Sequence, residues 1–340
     1  MKLSLLIPTY NRCAALRETL DAFLPQLVEG VELVVVDGAS PDETAQVVQE
    51  FVRQSAHVRY VQLSQKGGID RDYDLGVSEC RGEWVWLLAD DDLPAPHAVQ
   101  CLLDALGSSA DLIVINADVF SPDYSTRLAG PRLSIRERLV IHDTDELFRV
   151  ANDHMSFIAA VCIRRSVWLE RKREPYYGTE FIHLGVIFQA PLARAAIILP
   201  DVLLHIRYGV GNWARRAFEV WMLKWPRLAH QHAAVSDAAK ARMNPVPWQQ
   251  VRVLLKHRAF NSLRTETLDL LRRENAPWST LLAARVLVTL PQPVAAALAT
   301  PVALARGRDA DRILLFDARV ATRQWLREQG KRFRKGGSRT

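Results

Sequence analysis

Hydrophobic and polar positions follow two rhythms over the first 118 residues. Residues 3–8 (LSLLIP) and 31–36 (VELVVV) are short apolar runs ending at turn residues, and each precedes a stretch with helical spacing. That succession predicts βα units in a parallel sheet, whose strands are covered on both faces. The first helix is predicted from about Ala14 to Leu27. A second follows DGASPDET, where Ser40 or Asp42 can cap and Pro41 sits near the first turn. VRYVQL (58–63) reads as a third strand, QKGGIDRDYD as a loop leading to a short helix that ends near Cys80, and WVWLLA (84–89) as a fourth strand. A helix from Pro96 to Leu106 and the strand DLIVIN (111–116) complete a nucleotide-binding-like half, residues 1–118. In such a sheet the carboxyl ends of the strands line one crevice.

Beyond it the pattern is less regular. Residues 119–155 have mixed polarity and read as a connecting excursion, 156–168 (SFIAAVCIRRSVW) as a strand, and 176–195 as a loop opening a helix. Residues 119–212 are taken as a second, acceptor-binding half, and 213–285 as a helical extension rich in Trp and Arg. Residues 286–305 (VLVTLPQPVAAALATPVALA) contain no charged residue. Their length would allow a membrane span, but Pro291, Pro293 and Pro301 interrupt it. An interfacial or re-entrant hairpin is preferred to a hairpin of the core, and both to a span.

Composition changes this picture in one respect. With 49% hydrophobic and 24% charged residues the chain is of ordinary globular type, which excludes wholesale disorder. The net charge is +6, but residues 306–340 hold eleven Lys/Arg against four Asp/Glu, a surplus of seven, so the rest of the chain is at −1. A basic end on a near-neutral body points to an anionic surface met at one edge, a bilayer being as good a candidate as a nucleic acid; the apolar segment beside it supports the bilayer, and a solvated tail is the plainer alternative. Basic residues such as Arg323, Arg327, Lys331, Arg332, Arg334, Lys335 and Arg339 gather there with Trp325 and Phe333. A nucleic-acid binder is disfavoured because this charge is a tail rather than a stripe along the body. Cys13, Cys80, Cys101 and Cys162 have no CxxC spacing, which argues against zinc and a disulfide framework and for a reducing compartment. Met1-Lys2 runs directly into a strand, without the pattern of a secretory signal.

Three acidic stations fall at strand ends: Asp37; Asp70, Asp72 and Asp74; and the triplet Asp90–Asp92. Carboxylates converging on one crevice need an opposing charge. Oxygen ligands without His or Cys select a hard cation, Mg²⁺ or Mn²⁺, shared with substrate phosphates. A helix N-cap is the plainer use of the triplet, but one Asp would serve it.

LLIPTYNR (5–12), VVVDGASPDET (34–44) and CRGEWVWLLADDDLP (80–94), in that order, resemble the nucleotide-sugar-binding domain of family 2 glycosyltransferases. GID before a small helix, the Asp triplet and the later FIHLGV look most like the abequosyltransferase-like branch, which builds bacterial surface polysaccharide precursors. The resemblance implies the GT-A fold, a Rossmann-like, mostly parallel α/β sheet flanked by helices, here with a helical C-terminal extension. It also implies a metal-dependent, inverting transfer of a sugar from a nucleoside diphosphate to a lipid-linked or polysaccharide acceptor, at the inner face of the cytoplasmic membrane. On it, Pro8, Thr9, Tyr10 and Arg12 would cradle the nucleoside and Asp37 would accept a hydrogen bond from the base. Asp90 would meet ribose and metal, Asp92 the metal, and Asp91 the cofactor region. One departure stands out: many relatives carry Ala-Arg-Asn where this chain has Asp72-Tyr73-Asp74. Arg71 could replace the missing arginine, or Asp70 could contact the base or sugar.

Inversion also requires a base for the acceptor hydroxyl. Glu180 fits the carboxylate the resemblance implies, and His183, expected on the same helix face, has the more suitable free pKa; Asp153 is a further possibility. A non-catalytic nucleotide-sugar-binding or scaffold protein on this fold would be favoured by loss of Asp92 or of all candidate bases, and neither is lost. A dinucleotide oxidoreductase would need a GxGxxG turn, and PTYNRCAA contains no glycine.

Overall fold

A computed structural model describes residues 1–107, 109–209 and 213–306, with seven further positions between 313 and 327. The chain divides into two compact units, one of residues 1–123, 130–207 and 228–242, the other of 124–129, 208–227 and 243–340. The expected boundary at 118 falls inside a strand.

The first unit is built on β1 (Leu3–Thr9), β2 (Val31–Asp37), β3 (Val58–Gln62), β4 (Trp84–Leu87), β5 (Leu93–Pro94) and β6 (Ala110–Phe120), with later strands Val161–Arg164 and Ala195–Arg207. Across the sheet the order is β3, β2, β1, β4, Val161–Arg164, β6, Ala195–Arg207, β5. The β3–β2–β1–β4 block is parallel, as the apolar runs predict. All seven residues of β1 and of β2 are buried, which is why these strands read as continuous hydrophobe. Helices α1 (Cys13–Phe23), α2 (Thr44–Gln54) and α4 (Ala98–Ala105) fall at the predicted places, whereas α3 (Ile69–Glu79) starts inside the stretch read as the QKGGIDRDYD loop, so that Asp70, Asp72 and Asp74 lie on a helix. α1 seats Leu16, Leu20 and Phe23 in the core, where Phe23 meets Trp86 edge-on at 5.8 Å between centroids. In α3, a Cβ on Gly76 would lie 2.5 Å from Leu6 Cδ1, so only glycine lets this helix approach β1 so closely. Pro41 lies ahead of α2, and Asp42 accepts from Thr44 N–H and Oγ1 there.

The later elements depart from the expectations. Residues 156–168 are not one strand. A 3₁₀ turn (Ile158–Ala160) leads to four strand residues, Val161–Arg164, antiparallel to both β4 and β6, and then to α6 (Arg165–Glu170). The apolar run continues through both because its strand and helix portions are both buried. Residues 176–195 hold only a six-residue helix, α7 (Ile182–Ile187). The thirteen-residue strand Ala195–Arg207 was not foreseen, since Pro200 and Asp201 break its pattern; they sit where its register along β6 shifts.

In the second unit, helices Val251–Ala259, Thr265–Arg273, Trp278–Thr289 and Gln292–Arg306 surround a core that includes Phe218, Trp248, Leu254 and Leu271. The neutral segment 286–305 is a helical elbow, with axes bent by 116° between Trp278–Thr289 and Gln292–Pro301. Among the described residues no single helix is long and apolar enough to cross a membrane. Of the basic tail, Arg323 and Arg327 are described and exposed; Trp325, Lys331, Arg332, Phe333, Arg334, Lys335 and Arg339 lie outside the described residues.

A candidate nucleotide-sugar site at the strand ends

The acid triplet leaves β4 on a rigid support. Leu88 N–H donates to Leu6 O at 2.8 Å, and buried Tyr73 donates from its hydroxyl to Leu88 O at 2.7 Å. Trp86 fixes the strand below through Nε1–H to Ala159 O at 2.8 Å. All three carboxylates are buried, yet their surroundings differ.

Asp90 accepts from Thr9 Oγ1 at 2.8 Å and from Arg12 Nη1 at 2.9 Å. Arg12 also reaches Asp91 Oδ2 at 2.5 Å, bridging the two acids. Thr9 and Arg12, expected to cradle a nucleoside, are therefore tied to the triplet. Burial pushes the Asp90 carboxyl up, Arg12 opposes the shift and Asp91 adds to it. Asp92 accepts Arg207 N–H on Oδ1 at 3.0 Å, while its buried Oδ2 accepts no hydrogen bond among the described residues. Its carboxyl is held well above the ordinary range, first by burial and next by the Asp91 charge. A buried carboxylate oxygen without a partner is costly and marks a place where positive charge is missing. Among the described residues no group of three His, Cys, Asp or Glu side chains could hold an ion alone. Asp92 with oxygens from a ligand would suit a hard divalent cation, which commonly takes one or two carboxylates plus phosphates.

The nucleoside end lies at β1 and β2. Asp37 is fully buried; Oδ1 accepts Ser40 N–H at 2.8 Å and Oδ2 accepts the Tyr60 hydroxyl at 2.6 Å. Each oxygen keeps a second acceptor position. Pro8 is buried within β1, and Tyr10 carries the Lys66 ammonium 3.6 Å from its ring centroid. Asp72 stands close by: its Oδ2 would be 3.4 Å from a Cβ on Gly38 and its Oδ1 2.7 Å from one on Gly67. Burial raises the Asp72 carboxyl to about 6 against the pull of Lys66 and the Gly67 N–H.

Asp70 does something other than expected. Its Oδ2 accepts the N–H groups of Gly178 (2.8 Å) and Glu180 (2.9 Å), and Oδ1 that of Ile182 (3.1 Å). Those bonds tie it to the 178–182 loop. Asp74 pins the same region through Trp168 Nε1 (3.0 Å), Arg173 Nε (3.1 Å) and the Tyr177 hydroxyl (2.5 Å). Arg71 is exposed and lies over the Tyr177 ring at 5.2 Å.

The expected helix pair of Glu180 and His183 does not form. α7 starts at Ile182, and Glu180 precedes it with φ +68°, a left-handed backbone that the three bonds to Asp70 hold in place. Glu180 is half-buried, whereas His183 is 1% exposed and donates Nε2–H to Met155 O at 2.8 Å. Burial drops its pKa to about 4, so it is a neutral core histidine. Asp153 is exposed on the helix Thr144–Met155, beside His154, whose Nε2 meets Ile115 O at 2.7 Å. The sequence reading also missed Arg207 and the His205–Asp118 pair (2.6 Å), because the strand that carries them was missed.

Residues 4–168 match the family model described as glycosyl transferase family 2. This match supports a family 2 glycosyltransferase. Glycosyltransferase GlyG of Streptococcus pneumoniae is 26% identical over 115 residues, 34% of this chain and 38% of that protein. The GalNAc(5)-diNAcBac-PP-undecaprenol beta-1,3-glucosyltransferase of Campylobacter jejuni is 32% identical over 103 residues, 30% of this chain and 33% of that protein. The matched stretch thus spans 38% and 33% of the two relatives. In three dimensions the chain is similar to S. aureus TarS 1-349, with TM-score 0.55, 17% identity, and 96% and 92% of the two chains covered. That likeness establishes a GT-A-like fold: a mixed sheet flanked by helices with a helical C-terminal region.

Proposed function

We propose that this protein transfers a sugar, with inversion, from a nucleoside diphosphate to a lipid-linked saccharide or a polysaccharide in bacterial surface glycan synthesis. The enzyme would work peripherally at the inner face of the cytoplasmic membrane, and the abequosyltransferase-like branch is the subfamily its motifs favour. Asp92 Oδ2, a buried carboxylate oxygen without a hydrogen-bond partner among the described residues, carries this reading. TarS has been crystallised with UDP and with UDP-GlcNAc, which supports a nucleotide-sugar donor here.

Departure of a nucleoside diphosphate builds negative charge on the leaving oxygen. A divalent cation bound at Asp92 would supply Lewis-acid stabilisation of that charge. Arg12 orders Asp90 and Asp91, and Thr9 fixes the second Asp90 oxygen, so the acids need not reorganise when the donor arrives. Asp37 would accept from the base, and Tyr10 with Lys66 would border it. Glu180 is the proposed base, taking the acceptor hydroxyl proton on its carboxylate while Asp70 holds its backbone. His183 takes no part, because its Nε2 proton is given to Met155 O.

The test is a panel of nucleotide sugars and Mg²⁺ or Mn²⁺ with the wild-type protein and Asp92→Ala, reading binding by calorimetry and slow donor hydrolysis. Metal-dependent binding of one donor, lost in the variant, is the expected result. Absence of binding by every donor, or binding indifferent to both metal and Asp92, would overturn the reading.

A further inference from the structure

The elbow of helices Trp278–Thr289 and Gln292–Arg306 has a packed side and an unpacked side. Thr280, Ala284 and Leu287 are buried on the first helix; Ala295, Ala296 and Ala299 are buried on the second, where Ala296 and Ala299 cluster with Ala259. The bend is tied down by the Arg258 guanidinium, which donates from Nε and Nη2 to Leu290 O at 3.0 and 2.6 Å. Gln292 Nε2 adds a bond to Ala259 O at 3.1 Å. The elbow is thus an ordered part of the second unit.

Its other side is also apolar. Trp278, Leu282 and Val286 are 76%, 52% and 56% exposed, and Val294 and Leu298 are 44% and 54% exposed. Spacings of four residues place each set on one helical face. A surface helix ordinarily carries polar residues opposite its buried stripe; these two carry aliphatic and aromatic ones. Charge identifies what could cover them. Residues 275–308 contain no Asp or Glu; Arg285 is exposed within the elbow and Arg273 just before it, while neighbouring Arg272 pairs with Asp269 and Glu274 with Arg227. The surplus of seven positive charges in residues 306–340 follows directly. Apolar side chains on a stretch without acids, with exposed arginines beside it and a basic segment after it, match a layer with anionic headgroups above hydrocarbon, where a tryptophan is also favoured.

We infer that the outer face of this elbow, centred on Trp278, Leu282, Val286, Val294 and Leu298, inserts into the headgroup region of an anionic bilayer, leaving the protein on one side of the membrane. This deepens the membrane part of the proposed function and is independent of the donor chemistry: a protein that bound vesicles but no nucleotide sugar would keep this inference and lose that reading.

The experiment is co-sedimentation of the full chain with vesicles of phosphatidylcholine alone or with about a third phosphatidylglycerol, at low and high salt. The comparison variant is the double substitution Leu282→Glu and Val286→Glu, both at exposed positions, with thermal unfolding as the control for folding. Binding at least tenfold stronger to the anionic vesicles, reduced about tenfold or more in the variant at unchanged Tm, is expected. Undiminished binding by the variant would assign vesicle contact to the tail and overturn the inference. So would a wild-type dimer that the variant dissociates without loss of vesicle binding, since the stripe would then be covered by a second copy. Should the double variant unfold, Leu298→Gln is read in the same way.

Discussion

The carboxylate of Asp70 holds the backbone of Glu180 across 110 residues of sequence, accepting its N–H at 2.9 Å while Gly178 and Ile182 bond to the same side chain. Three amide donors on one carboxylate position a left-handed residue that would otherwise relax. Asp70→Ala is therefore expected to lower turnover by about 10- to 100-fold with donor affinity unchanged within about twofold, the loss arising from a misplaced base. Calorimetric donor binding beside steady-state kinetics checks this; a matching loss of donor affinity would return Asp70 to the nucleotide contact inferred from sequence.

Glu180→Gln removes the proposed base without altering the backbone clamp. A loss of roughly 10²- to 10⁴-fold in kcat is expected, with donor binding intact. His183→Gln should leave the pH dependence of kcat where it is, because the imidazole stays neutral and buried. A pH–rate profile of both variants separates the two residues.

Arg12 is the internal counter-charge of Asp90 and Asp91. Arg12→Gln should lower Tm by several degrees in EDTA, since it removes the guanidinium that the buried Asp90 and Asp91 carboxylates share. Added Mn²⁺ is expected to restore more of that loss than it adds to wild type, as a second source of positive charge. Thermal scans in EDTA and in Mn²⁺ decide it, and equal increments in both proteins would mean that no cation reaches the triplet.

Asp72 makes stability depend on pH in a defined direction. Its folded-state pKa is raised to about 6 from an ordinary 3.8, so its contribution favours folding at pH below the unfolded value and is lost as pH rises through the folded one. Asp72→Asn should consequently gain Tm relative to wild type between about pH 4 and 7 and hold a constant advantage above that. Differential scanning of the pair from pH 4.5 to 8 measures this; a constant difference across the range would show that Asp72 ionises as in the unfolded chain.

Where each stretch of chain makes its own structure, the sequence was enough. The apolar runs of β1, β2 and β4, the helices between them and the acids at their ends follow from local hydrophobic pattern and turn residues, and parallel βα topology brings those ends together. Local pattern could not say how the acids are used. Asp70, Asp74 and Asp90 look alike in sequence, yet contacts with residues about 80 to 110 positions away make one a loop clamp, one a structural hub and one a partner of Arg12. Glu180 and His183 have helical spacing, but three backbone hydrogen bonds donated to the distant Asp70 carboxylate outweigh the weak propensity of a six-residue helix and start it two residues past Glu180. The strand Ala195–Arg207, broken by Pro200 and Asp201 in its own pattern, exists because β6 and β5 offer it backbone partners on either side. Burial and partnership are properties of the folded chain, and they alone separate Asp92, with its empty acceptor oxygen, from the two acids beside it.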